Sequence, residues 1–271
     1  MARLRVSAIS YLNTAPLMWD FVNPPQSDEL KREFDVAYTL PSNCADALRQ
    51  GLADIGIIPV AAYPNIPGLL IVPDVAIAAN GTVRSILLVS KKPLEEIESI
   101  ALDSSSRTSA ALIRILFDRF YDLKPGFVEA SPDLHKMLIE HDSALLIGDC
   151  ALKVDRERYH TWDLAEEWKR LTGKPFVFAF WAIRDGSASA QKLEYVAQVF
   201  QRSRNSGLGH IPELVEDWSR KMALPAESIR AYLTQNIHYH LEPEFIEGMK
   251  LFFAYGAESG LFPYNPVLHF I

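Results

Sequence analysis

Only two cysteines, Cys44 and Cys150, occur in the 271 residues, and they stand far apart. A CxxC redox pair and a disulfide framework are thereby excluded. No apolar run is long and uncharged enough to span a bilayer. The opening MARLRVSAIS breaks its apolar residues with Arg3, Arg5, Ser7 and Ser10, so no signal-peptide core stands there. A cytoplasmic chain with reduced thiols is the resulting expectation. Positive charge is also short: 27 Lys and Arg against 34 Asp and Glu leave a formal charge of −7. That balance argues against nucleic acid or an anionic membrane as partner, both of which favour a basic face. A small anionic ligand stays compatible, because helix N-terminal amides bind anions without net positive charge. GxGxxG, GxxxxGK[ST] and GxSxG are missing as well, which removes support for nucleotide binding and for a serine-hydrolase elbow. His238 and His240 have no third ligand nearby in sequence, and His135 and His141 fall on different faces of one helix. No metal is expected.

What is present describes a globular protein, 49% hydrophobic and 23% charged, large enough for one big domain or two smaller ones. Strand-like and helix-like pieces alternate. LRVSAI (4–9), FDVAYTL (34–40) and ADIGIIPV (53–60) read as strands, with helices starting at Asn13-Thr14 and at Pro41. LLIVPDVAIAA (69–79) and TVRSILLVS (82–90) follow as further strands. A second series begins near Pro93: strand 97–103, helix 110–121, strand 127–130, helix 132–141, strand 143–149, then the strand FVFAFWAIR (176–184). From Ser187 on, the pattern is helical. This order predicts an α/β fold with mainly parallel sheets in two lobes. Strands 82–90 and 176–184 are expected as crossings between an outer lobe (1–84 with 185–271) and an inserted lobe (85–184). A ligand cleft would lie between the lobes.

Polar residues cluster where strands end. In open α/β sheets, ligands gather beyond the carboxyl ends of strands. DSSSRTS (103–109) puts Ser104, Ser105, Ser106, Arg107, Thr108 and Ser109 at the start of a strong helix. One serine would suffice as an N-cap; five hydroxyls and an arginine suit a carboxylate or phosphate. Asn13-Thr14, in SYLNTAPL, occupies the equivalent turn of the first unit, where it either caps a helix or faces a ligand. Gly148-Asp149 closes a third strand, with Asp149 a cap, a base or a hydrogen-bond acceptor. Ser85 interrupts an apolar strand that borders the cleft.

SYLNTAPL, ADIGIIPV, DSSSRTSA, LLIGDCAL and FVFAFWA together resemble the chorismate dehydratase family of the futalosine route to menaquinone. The likeness runs from about residue 5 to about residue 185. It implies a type II periplasmic-binding-protein-like fold and a cofactor-independent removal of water from chorismate, a dicarboxylate. It also implies roles for particular residues. Ser105, Ser106, Arg107 and Thr108 would bind the substrate's anionic groups, with Thr14 beside them. Asn13 and Ser85 would face the substrate, and Gly148-Asp149 would close the pocket, Asp149 being one candidate base and the substrate's own enolpyruvyl carboxylate the other. The sister family that opens a cyclic futalosine derivative shares the fold, but its Ser-Pro-x-Asn first turn is not matched here. A non-catalytic binding protein for a small carboxylate is the competing class.

Overall fold

The computed structural model describes residues 3–271. The first unit runs β1 (Leu4–Ile9), two 3-10 turns (Leu12–Thr14 and Pro16–Met18), and short helices α1 (Trp19–Val22) and α2 (Gln26–Leu30). It continues with β2 (Phe34–Thr39), α3 (Pro41–Arg49), β3 (Ile55–Pro59), a 3-10 stretch Val60–Asn65, and β4 (Leu69–Ala79). The second unit holds β5 (Ile86–Ser90), β6 (Ser99–Asp103), α4 (Thr108–Leu116), β7 (Gly126–Ala130), α5 (Leu134–Glu140), β8 (Ser143–Ile147) and α6 (Gly148–Ala151). After β9 (His160–Asp163) and α7 (Leu164–Thr172) comes β10 (Phe176–Arg184). Helices α8 (Ala190–Gly209), α9 (Ile211–Met222), α10 (Ala226–Ala231) and α11 (Pro243–Glu258) complete the chain.

Two five-stranded sheets result, ordered β2-β1-β3-β10-β4 and β7-β6-β8-β5-β9. Each has three parallel strands and a fourth that runs antiparallel to both of its neighbours. The central strands β3 and β5 are buried at every position, as a strand covered on both faces requires. The carboxyl ends of β1, β6 and β8 lead into the turns that carry the polar motifs.

Two details differ from expectation. The strand expected over 82–90 begins only at Ile86, because Arg84 takes a left-handed φ of +66°. Asp163 holds that bend, accepting the backbone N–H of Val83 at 3.1 Å and of Arg84 at 2.6 Å. Strand β10 does not cross between sheets; it pairs along its length with β3 and β4. The connections between sheets are therefore the non-strand segment 80–85 and the short stretch between α7 and β10. One apolar core runs from the first sheet through α4 to β6, and a smaller one lies on the other side of the second sheet around Leu87, Val89 and Leu146.

Candidate active site

The Tyr11–Thr14 turn settles which residue caps and which is left over. Thr14 Oγ1 accepts the Tyr11 N–H at 3.2 Å and lies 2.7 Å from the Ile9 carbonyl. Thr14 is 1% exposed and closes the turn. It does not line the cleft. Asn13 has no such bond. Its Oδ1 is one of three buried side-chain polar atoms among the described residues with no partner, beside Trp181 Nε1 and Tyr239 OH. An unpaired buried acceptor costs roughly 1–3 kcal/mol, so its retention points to a ligand donor.

Asn13 lines a cavity of about 60 Å³ between the lobes. Ile9, Tyr11, Pro59 and Phe178 form the wall from the first lobe, while Ser105 to Ser109, Ile147 and Gly148 form the wall from the second. The first bond of α4 is from Ala111 N–H to Arg107 O at 3.1 Å, which leaves the amides of Thr108, Ser109 and Ala110 without a helical partner. These amides, with the Ser106 and Ser109 hydroxyls on the same wall, are the donors that a helix N-terminus can offer to an anion. No Asp, Glu, His or Lys lines this cavity. A larger recess of about 400 Å³ opens beyond the Tyr11–Thr14 turn, but its charged groups are Glu213, Asp217 and a Lys221 already paired to Asp217 at 2.6 Å. Its charge suits an anion poorly.

Other expected site residues are engaged with protein. Ser105 gives both its N–H (2.9 Å) and its hydroxyl (2.7 Å) to Asp103 Oδ1, so it shapes the turn. Thr108 donates to Phe178 O at 3.1 Å and accepts the Ala61 N–H at 3.3 Å, tying the start of α4 to the first lobe. Arg107 pairs with Asp46 of α3 at 2.8 Å, again across the lobes. Asp149 accepts the Leu12 N–H at 3.2 Å and is not a lining residue. Burial pushes the Asp149 carboxyl above the usual carboxylate range, partly offset by that bond. Ser85 is 1% exposed and also stands behind the wall, bonded to Tyr232 OH at 2.9 Å. Gly148 lies on the wall with φ +63°, and an added Cβ would meet the Tyr11 ring at 3.0 Å. Tyr11 stands inside SYLNTAPL without being singled out there; Tyr232 carries no motif signal and reaches the back of the wall, at Ser85, only through the fold.

The menaquinone biosynthesis family matches residues 4–258 of the chain. The chain belongs to that family. A chorismate dehydratase from Thermus thermophilus is 29% identical over 261 residues, covering 87% of this chain and 90% of the relative. Among solved structures, a protein from Archaeoglobus fulgidus superposes with a TM-score of 0.79 at 16% identity, over 96% of this chain and 98% of that one. The periplasmic aliphatic sulphonate binding protein of Escherichia coli matches with a TM-score of 0.63 at 16% identity, over 97% and 89% of the two chains. These family and fold relations establish the two-lobed periplasmic-binding-protein-like architecture expected from sequence.

Proposed function

We propose that this member of the menaquinone biosynthesis family is a chorismate dehydratase, a carbon–oxygen lyase that converts chorismate to 3-[(1-carboxyvinyl)oxy]benzoate and water in the cytoplasm. The observation that carries this reading is the unpaired Asn13 Oδ1 in a cavity whose opposite wall is the start of α4. Chorismate has two carboxylates, which need donors, and one ring hydroxyl, which needs an acceptor. The α4 end offers the first and Asn13 offers the second. The named Thermus relative supports the same substrate.

The ring proton to be lost is vinylogous to the ring carboxylate. Removing it places negative charge on that carboxylate, where the α4 amides and the Ser106 and Ser109 hydroxyls stabilise it as it develops. The adjacent carbon–oxygen bond then breaks, its electron pair leaving with the hydroxyl oxygen, which takes up a proton to become water. The ring becomes aromatic, and the reaction balances without an electron acceptor. Because no side-chain base lines the cavity, the enolpyruvyl carboxylate of the substrate is assigned as proton acceptor, held in a reactive conformer by the walls.

Purified protein incubated with chorismate should deplete it and yield a benzoate ultraviolet spectrum with a product mass lower by one water. Binding of chorismate in calorimetry without any such change would leave a non-catalytic carboxylate-binding protein. Turnover of the cyclic futalosine derivative in place of chorismate would move the chain to the sister reaction.

A further inference from the structure

Arg84 takes the left-handed φ of +66° with a full side chain. Of the other non-glycine residues that do so among those described, Asp122 and Ala223 are helix C-caps, where that conformation is common. Arg84 ends no helix. It sits in the connection between the sheets, two residues before β5 starts at Ile86. A backbone held this way persists only where its surroundings over-determine it, and such residues gather at functional sites.

Here the surroundings grip the bend from both sides. The Arg84 N–H donates to Asp163 Oδ2 at 2.6 Å, and the Arg84 carbonyl accepts from Arg156 Nη2 at 3.1 Å. Asp163, 4% exposed, does more than cap α7. Its Oδ1 takes the Ala165 and Glu166 amides at 3.1 and 3.3 Å, as a cap does, while Oδ2 is turned to Arg84. The Val83 amide is shared by the two oxygens at 3.1 Å. Past the bend the chain reaches the cavity. Ser85 O accepts the Gly148 N–H at 2.8 Å, and Ile86 pairs with Ile147 across the sheet. Ile86, Ile147 and Gly148 all line the cavity. We propose that Asp163 and Arg156 are positioning residues, which hold the left-handed bend at Arg84 and so set the Ile86–Ile147–Gly148 face against which the substrate is held. The effect on turnover rests on the chorismate dehydratase reading; the placing of the wall does not.

Asp163→Asn separates the two tasks of the carboxylate. Asparagine caps a helix about as well as aspartate. With its oxygen kept on the α7 amides, its NH₂ group faces the Arg84 N–H, donor against donor. Amide hydrogen exchange reads the wall without substrate. In Asp163→Asn the Gly148 amide should exchange at least about tenfold faster than in wild type, and those of Ala165 and Glu166 should change by less than about twofold. A residue that only caps α7 would reverse that ranking. Glycine enters the left-handed region freely, so in an Arg84→Gly background Asp163→Asn should speed Gly148 exchange by less than about threefold. With chorismate, Asp163→Asn should lower kcat by about 10- to 10²-fold with KM little changed, because orientation is lost rather than anchoring. In the Arg84→Gly background that loss should shrink to less than about threefold. Equal effects in both backgrounds would overturn the proposal, as would Gly148 exchange or a kcat within about twofold of wild type in Asp163→Asn. Should Asp163→Asn fail to fold, Arg156→Met removes the donor to Arg84 O and must show the same dependence on residue 84. A wild-type protein that leaves chorismate unchanged would refute the dehydratase reading alone, and the exchange comparison then decides the positioning role by itself.

Discussion

Asn13 and Thr14 are adjacent polar residues in one turn, and only their bonds tell them apart. Thr14 satisfies the local backbone, whereas Asn13 keeps a buried oxygen unpaired. Asn13→Ala should therefore separate stability from function. Removing an unsatisfied acceptor leaves unfolding free energy unchanged or higher by up to about 1 kcal/mol, while turnover falls by about 10²-fold. Urea unfolding beside steady-state kinetics checks both, and a destabilised variant with normal turnover per folded molecule would make Asn13 a structural residue. Gly148 makes a second prediction. Its φ of +63° and the 3.0 Å approach of an added Cβ to Tyr11 both oppose a side chain, whereas Gly186, at φ +78°, has nothing near its missing Cβ. Gly186→Ala should cost about 1–2 kcal/mol from backbone conformation alone, and Gly148→Ala should cost more in the same urea assay. Equal losses would mean that the Tyr11 ring yields freely.

At the scale of elements, most strands were legible because buried sheet strands are short apolar runs bounded by turn residues. LRVSAI, ADIGIIPV and LLIVPDVAIAA fall where expected. HTWD (160–163) did not stand out, since only one of its four positions is buried. The anion-binding turn was legible as a cluster, but its division of labour was not. Ser105 and Ser106 look equivalent in sequence and both line the cavity, yet Ser105 gives its hydroxyl to Asp103 whereas Ser106 gives Asp103 only its backbone N–H, at 2.9 Å. Ser106→Ala should then weaken chorismate binding in calorimetry more than Ser105→Ala, which should chiefly lower stability; the opposite ranking would return Ser105 to the ligand. Asp142 gives a pH prediction of the same scale. It pins the start of β6, accepting the N–H groups of Glu98 at 3.0 Å and Ser99 at 3.2 Å and pairing with Lys92 at 2.8 Å. Chiefly through Lys92, its carboxyl is held below the ordinary value of 3.8. A depressed folded value means that the stabilisation is present above the ordinary value and is lost as pH falls through the depressed one. Asp142→Asn should be less stable than wild type near neutral pH, and the gap should close in strong acid. A gap independent of pH would assign the effect to packing.

The whole molecule explains why several expected site residues are not free. Thr108, Arg107 and Asp149 each reach across to the other lobe, at Phe178 and Ala61, Asp46, and Leu12 respectively. Sequence shows which residue types stand at strand ends, and those ends converge as expected; it does not show that two convergent turns will bond to one another. The same applies to Tyr232, which the helical tail brings onto Ser85 from far along the chain. The cavity of about 60 Å³ is also well below the roughly 300–1,000 Å³ of sites for drug-sized ligands, and these bonds act as clasps between its two walls. Asp149 is the decisive one for mechanism, because it is both a clasp and the alternative base that its sequence position suggests. Burial makes its carboxyl more basic than usual, which would suit proton abstraction, but its Oδ1 is directed at Leu12 N–H. Asp149→Asn keeps an acceptor for Leu12 and removes only the base. If the substrate's enolpyruvyl carboxylate takes the proton, this variant retains turnover within about tenfold of wild type, whereas general-base loss would cost about 10²–10⁴-fold. The pH profile sharpens the distinction: a catalytic Asp149 would give wild type an acidic limb, with activity falling as the carboxylate is protonated, and the variant would lack it. An Asp149→Asn protein that binds chorismate normally in calorimetry yet has lost both turnover and that limb would reject substrate assistance and make Asp149 the base.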